Sequence, residues 1–84
     1  MTNKEILKKQ IIYRAMHRGS KEMDILLGNF VKKNINYLNI DELKELEKIL
    51  YIDDEVLYSW YFNKKANDVI PHNKVSEMLK NFKL

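Results

Sequence analysis

The chain has 84 residues, no cysteine and a net charge of +3. A chain this short forms one domain, here residues 1–84, and without cysteine it has no disulfides, thiolate metal sites or cysteine nucleophiles. It contains neither the roughly 20 consecutive apolar residues that span a bilayer nor a signal-peptide core, so we expect a cytoplasmic protein without membrane contact. Its richness in Lys, Asn and Ile favours a bacterial source.

Apolar residues recur at helical spacing along the chain, interrupted by only two glycines and one proline. The first helix is predicted from Lys4 to His17. Gly19 then marks a corner, because glycine accepts backbone angles that other residues resist. The second helix is predicted to begin near Ser20. Its amphipathic stripe consists of Met23, Leu26, Leu27, Phe30 and Val31.

Three further helices are predicted in the second half of the chain. Asn39 begins the third helix, and Glu42 follows three residues later as its capping-box partner. Asp53 is predicted to cap the fourth helix. Residues 63–68 form a polar loop, and Pro71 is predicted to lie in the first turn of a short fifth helix. The sequence therefore predicts an all-α fold, a compact five-helix and mostly antiparallel bundle.

Aromatic residues cluster in the predicted fourth helix. Trp60 and Tyr61 lie on its apolar stripe and are predicted to belong to the core. Tyr58 and Phe62 lie four residues apart and off that stripe. We expect these two rings to pack against the last helix, and contact with a partner is the alternative.

Enzyme signatures are absent from the sequence. It has no glycine-rich phosphate loop and no HExxH pair, and His17 and His72 are not spaced as metal ligands. We therefore expect a protein that is not an enzyme, has no catalytic residues and carries neither a metal nor a tightly bound cofactor.

The most distinctive feature is a cluster of charges around Gly19. Basic residues at positions i, i+3, i+4 and i+7 are Arg14, His17, Arg18 and Lys21. Because Gly19 interrupts the helix, these charges surround a corner, either as a solvated basic surface or as a recognition site. In the second interpretation Arg18 and Glu22 offer charge-assisted hydrogen bonds to a partner. Within the chain, Glu22 favours the start of the second helix and is a candidate ion-pair partner for Arg18.

A small helical nucleic-acid-binding module is the alternative function. Such a module needs a continuous basic face. Here Gly19 interrupts the basic cluster, and the carboxylates of Glu22 and Asp24 that follow it repel phosphate. We therefore expect no nucleic-acid partner.

The corner resembles the SdhE family, the succinate dehydrogenase assembly factors that promote flavinylation. The family's RGxxE motif reads here Arg18-Gly19-Ser20-Lys21-Glu22, between Tyr13-Arg14 and Met23-Asp24. Downstream, residues 50–60 resemble the family's stretch of Leu followed by Asp-x-x-Leu-x-x-Trp. The resemblance covers roughly residues 11–61. Ser20 departs from the family, whose members usually have an apolar residue there, and the tail after Asn63 carries no recognised signal.

The resemblance implies a five-helix bundle that acts as an assembly factor. We expect a monomer, because the five amphipathic segments leave no long apolar stripe for a coiled coil. The implied partner is the flavoprotein subunit of succinate dehydrogenase, with fumarate reductase as a second candidate. That subunit links a histidine of its own to FAD, and the assembly factor would hold its mobile domain in a competent geometry. The partner-binding residues are then predicted to be Arg18, Gly19, Glu22, Arg14, His17 and Asp24.

Overall fold

Within residues 2–84, the amphipathic segments of the sequence form five α-helices. They are α1 (Asn3–Met16), α2 (Lys21–Asn34), α3 (Ile40–Leu50), α4 (Asp54–Phe62) and α5 (Lys74–Asn81). A short 3-10 turn over Ile35–Tyr37 follows α2. The computed structural model describes residues 2–84, and this part of the chain contains no strand, which confirms the all-α prediction. Within the same residues, no helix combines the length and the apolar character needed to cross a membrane.

Side-chain caps fix the starts of several helices. At α3, Asn39 and Glu42 form the predicted capping box, with hydrogen bonds of 2.8 and 2.9 Å between each side chain and the other residue's backbone N–H. At α5, Asn73 and Ser76 form an equivalent pair. The prediction that Pro71 lies in the first turn of α5 is wrong. The reciprocal bonds between Asn73 and Ser76 satisfy two otherwise unpaired donors, so α5 begins at Lys74, three residues after Pro71.

Asp53 occupies the N-cap position of α4, but its side chain makes no capping hydrogen bond. The next carboxylate, that of Asp54, reaches away from α4 towards the connection between α1 and α2. The predicted cap is therefore correct in position and wrong in mechanism.

One hydrophobic core draws on all five helices. The predicted stripe of α2 is confirmed, because each of its five members is at most 2% exposed. Trp60 and Tyr61, at 8% and 9% exposure, belong to the core as predicted. Helix α1 contributes Ile11 and Ala15. Burial of these side chains supplies most of the favourable free energy of folding.

Contacts between helices bring two connections together. Helix α1 packs against both α2 and α3, and α3 also packs against α5. The α1–α2 connection, residues 17–20, thereby lies against the α3–α4 junction, residues 50–54. At the other end of the chain, the Tyr61 hydroxyl donates to the Phe82 carbonyl, and the Phe82 ring meets Phe30 edge-on at 5.4 Å between centroids. The segment after α5 is therefore fixed to both α2 and α4.

Candidate functional site

The Arg18 side chain joins the α1–α2 corner to the α3–α4 junction. Its guanidinium donates to the carbonyl oxygens of Leu50 and Ile52 at 2.5 and 3.0 Å. Its Nε donates to Asp54 Oδ1 at 2.8 Å, and Nη2 lies 2.6 Å from the same oxygen. The side chain is only 9% exposed. The guanidinium therefore has little surface left with which to contact a partner.

Arg18 forms its ion pair with Asp54 and not with Glu22, the partner anticipated from the sequence. The physical reason is that Arg18 lies after the end of α1 and before the start of α2. An i,i+4 pair requires both residues on one continuous helix. A nearly buried cation also gains more from three acceptors at once than from a single exposed carboxylate.

Gly19 allows a carboxylate to approach the backbone closely. Its N–H donates to Asp54 Oδ2 at 2.7 Å. The unusual backbone angle expected of this glycine is absent, because its φ is not positive. A Cβ added at Gly19 would instead lie 3.1 Å from Asp54 Oδ2, closer than ordinary van der Waals contact. Space for Asp54, rather than backbone conformation, is what favours glycine here.

Asp24 and Ser20 hold the corner from the side of α2. Asp24 Oδ1 accepts the backbone N–H of Arg18 at 2.6 Å. Ser20 is the N-cap of α2, and its hydroxyl accepts the N–H of Met23 at 3.3 Å. The Asp24 carboxylate is partly buried and committed to this bond. Of the predicted contact residues, Arg18 and Asp24 thus lie beneath the surface and support it.

Two other predicted contact residues, Arg14 and His17, are exposed beside aromatic rings. The Arg14 guanidinium lies 4.2 Å from the centroid of the Tyr51 ring. The His17 ring stacks on Tyr13 at 4.0 Å, and its Nδ1 lies 2.7 Å from the Tyr13 carbonyl oxygen. Because a carbonyl only accepts, Nδ1 carries the proton and Nε2 remains for other contacts. We call Tyr13, Arg14, His17 and Tyr51 the basic-aromatic patch.

Glu22 is exposed at the start of α2 and lines a groove of about 500 Å³. The other lining residues are Ser20, Asp54, Glu55, Tyr58 and Ser59. Tyr58 is 40% exposed and Phe62 is 36% exposed. The centroids of their rings lie 4.7 Å apart. These two rings therefore contact each other and both remain exposed, which leaves them accessible to a partner. We call Glu22, Asp54, Glu55 and Tyr58 the acidic groove.

The patch and the groove form one continuous surface. Arg14, Tyr51 and Gly19 line a depression together with Asp54, and Asp54 also lines the acidic groove. We call the patch, the groove and Gly19 between them the corner surface. It carries positive charge and aromatic rings on one side and carboxylates on the other. Such a surface suits a protein partner that displays complementary charges.

Three residues of this surface were not among the predicted contact residues. Tyr51 had no assigned role, Asp54 was expected to interact with the dipole of the fourth helix, and Tyr58 was expected to pack against the last helix, with a partner contact as the alternative. The available signal for Asp54 was its position as the Asp of the Asp-x-x-Leu-x-x-Trp stretch. The structure shows why that stretch and the RGxxE motif come together, since Asp54 binds Arg18 and Gly19.

A family model described as "Flavinator of succinate dehydrogenase" (Sdh5) matches residues 9–83. The chain belongs to this family. The match reaches well beyond the stretch of roughly residues 11–61 that carried the resemblance, so the tail after Asn63 also lies within the family's domain.

Relatives of known name give the same assignment. An Acetobacter pasteurianus protein named FAD assembly factor SdhE is 36% identical over 73 residues, which are 87% of this chain and 64% of that protein. A Dictyostelium discoideum protein named succinate dehydrogenase assembly factor 2, mitochondrial, is 34% identical over 76 residues, 90% of this chain and 52% of that protein. The chain thus spans between about half and two thirds of the length of these relatives. No solved structure matches the chain.

Membership of the flavinator family leaves the nucleic-acid-binding alternative without support. The geometry agrees, because the four basic residues at helical spacing do not form one face. Arg18 points inward, and the corner separates Lys21 from Arg14. Within residues 2–84, no three His, Asp or Glu side chains are gathered in a way that would hold a metal ion.

Proposed function

We propose that this protein binds the flavoprotein subunit of succinate dehydrogenase and promotes covalent attachment of FAD to that subunit. The observation that carries the proposal is the family match over residues 9–83, which includes every residue of the corner surface. The names of the relatives, FAD assembly factor and succinate dehydrogenase assembly factor, support the same role.

The corner surface is the proposed contact with the flavoprotein. Its exposed groups differ in charge from one side to the other, with the Arg14 guanidinium beside the His17 ring on one side and the Glu22 carboxylate on the other. A surface with both signs of charge selects partner and orientation together. Arg18 and Asp24 hold the backbone between these groups in one geometry, so little conformational freedom is lost on binding.

We propose that the protein assists the reaction by positioning and is not itself an enzyme. Flavin attachment needs a histidine of the flavoprotein held against the flavin ring and a stabilised negative charge on that ring. The flavoprotein supplies those groups. The assembly factor binds the flavoprotein conformation in which they are aligned and so raises the population of that conformation. On this proposal the assembly factor carries neither metal nor tightly bound flavin, and its grooves are open surface depressions.

The flavoprotein subunit of fumarate reductase is a second candidate partner, because it would offer the same histidine and flavin chemistry. We propose that the protein acts as a monomer in the bacterial cytoplasm. Sedimentation as a stable dimer, or circular dichroism with strong β character, would contradict this description of the isolated protein.

The test is co-expression of the flavoprotein subunit with and without this protein, in a host that lacks its own assembly factor. Covalent flavin is read as fluorescence of the flavoprotein band in a denaturing gel. We expect a strong band only when this protein is present. Equal fluorescence in both cultures would refute the proposal. A second measurement is purification of this protein with an affinity tag from its native cell, and recovery of nucleic acid in place of a flavoprotein would restore the alternative function.

A further inference from the structure

We infer that Asp54 is the positioning residue of the corner surface, because its carboxylate fixes the backbone that lies between the patch and the groove. The inference rests on the proposed function, since it names the residue that makes the flavoprotein contact competent. Asp54 acts through Arg18 and Gly19 and is not itself required to touch the flavoprotein.

The two oxygens of the Asp54 carboxylate bind two consecutive residues of the corner. Oδ1 accepts from Arg18 Nε at 2.8 Å, and Oδ2 accepts the backbone N–H of Gly19 at 2.7 Å. These residues are 36 and 35 positions away in sequence. A bidentate carboxylate of this kind fixes direction as well as distance. The plane of the Gly19 peptide is therefore set by α4.

The corner depends on such a bond because residues 17–20 lie outside both helices. Their backbone groups lack the regular hydrogen bonds of a helix interior, so side chains must orient them. Asp24 holds the N–H of Arg18, and Asp54 holds the N–H of the next residue, Gly19. Loss of Asp54 releases the second of these and also removes the counter-charge of a nearly buried guanidinium.

A competing explanation is that Asp54 only stabilises α4, since a carboxylate in the first turn interacts favourably with the helix dipole. The two explanations make different predictions for Asp54→Asn. If Asp54 acts only on α4, the corner is unaffected. If it positions the corner, the Gly19 N–H loses its acceptor, because the amide oxygen of Asn is needed by Arg18 and its NH₂ group then faces another donor.

The first test is amide hydrogen exchange by NMR on the purified chain. We expect the Gly19 amide of Asp54→Asn to exchange about tenfold faster than in the wild type, because one hydrogen bond to a carboxylate is lost. Asp41→Asn is the matched control, since Asp41 is an exposed carboxylate in the first turn of α3. Val75→Ala, which removes buried atoms of α5, controls for a general loss of stability. Exchange of Gly19 at the wild-type rate, or a uniform acceleration like that of Val75→Ala, overturns the inference.

The second test is flavin attachment to the purified flavoprotein subunit as this protein is titrated. We expect Asp54→Asn to need about tenfold more protein for half-maximal attachment, at a temperature where it is fully folded, while Asp41→Asn behaves as the wild type. Equal titrations for Asp54→Asn and wild type overturn the inference. If the wild type gives no attachment at all, the proposed function fails, and the exchange of Gly19 still decides whether Asp54 positions the corner.

Discussion

Arg18 and Asp54, separated by 36 residues in the sequence, form an ion pair with 2.6 Å between Nη2 and Oδ1. The same guanidinium also binds two carbonyl oxygens of the α3–α4 junction. The arginine of the RGxxE motif is thus a largely buried support, and the exposed part of the motif is Gly19 and Glu22. Different residues of one short motif therefore serve folding and recognition, and substitutions can separate the two.

Replacement of Arg18 should affect folding more than any other change in the motif. We expect Arg18→Ala to lower the free energy of unfolding by about 3–5 kcal/mol, because Asp54 and two carbonyls lose their shared donor. Arg18→Lys should recover only part of this, since one ammonium cannot match the fork of a guanidinium. Arg14→Ala is the control and should cost about 0.5–1 kcal/mol, the value of an exposed cation–π contact. Urea unfolding measures all three. An Arg18→Ala protein as stable as Arg14→Ala would show that the ion pair contributes nothing.

Gly19 is the position where added volume should block function while the helices persist. In Gly19→Ala the Cβ crowds Asp54 Oδ2, which we expect to cost about 1–3 kcal/mol. In Gly19→Arg a long side chain also covers the corner surface, so we expect no covalent flavin on a co-expressed flavoprotein. Both variants should retain helical circular dichroism, because the backbone angle of Gly19 suits any residue. A folded Gly19→Arg protein that supports normal attachment would place the contact elsewhere.

Glu22→Ala should separate recognition from stability most cleanly. Its carboxylate is exposed in the first turn of α2, where it contributes about 0.3–1 kcal/mol. We expect a nearly unchanged melting temperature and a large loss of flavin attachment. Glu77→Ala is the matched control, since Glu77 is an exposed first-turn carboxylate of α5. Equal attachment by the two variants would remove Glu22 from the proposed contact.

Trp60 should matter for folding alone. The ring is 8% exposed within the core, so we expect Trp60→Ala to cost about 3–5 kcal/mol. That loss is a large share of the roughly 5–15 kcal/mol that stabilises a domain of this kind. Tyr58→Ala, two residues away on the exposed side, serves as the comparison and should melt close to the wild type. A Trp60→Ala protein with wild-type stability and no binding would move this ring to the interface.

Glu42 should make stability depend on pH in the acid range. The backbone N–H of Asn39 and the ammonium of Lys74 lower the pKa of Glu42 below its ordinary value of 4.5. Because the pKa of Glu42 is lower in the folded state than in the unfolded state, its stabilising contribution is complete above the ordinary pKa of 4.5. This contribution is lost as the pH falls through the lower pKa of the folded state. We expect Glu42→Gln to melt below the wild type at neutral pH, and we expect this difference to shrink as the pH is lowered below 4.5. A gap in melting temperature that persists in acid would argue against this origin, and Glu77→Gln controls for the loss of one charge.

The helices could be predicted from the sequence because their signals are local. The stripe of α2 and the capping box of Asn39 and Glu42 depend on residues three or four positions apart, which helical geometry relates directly. The prediction from Pro71 was wrong because two signals for a helix start lie close together in the sequence, Pro71 and the capping pair of Asn73 and Ser76. The bonds between Asn73 and Ser76 determined where α5 starts.

The candidate site could be predicted only in part, because its geometry depends on contacts across the fold. The motif located the corner and its exposed members, Gly19 and Glu22. The inward direction of Arg18 could not be foreseen, since its acceptors are contributed by residues more than 30 positions later. Two roles stayed open for Tyr58 for a similar reason, since the exposure of its ring depends on where α5 packs.

The ion pair between Arg18 and Asp54 also determines the stage of folding at which the corner forms. During synthesis Arg18 leaves the ribosome long before Asp54, and domains of this size fold as units. A nascent chain that has not reached Asp54 therefore lacks this acceptor, and a chain in which α4 has not packed against the corner does not place it. A flavoprotein that recognises this surface would engage only completed molecules, so the same contact that builds the site would also act as a check on the quality of each copy.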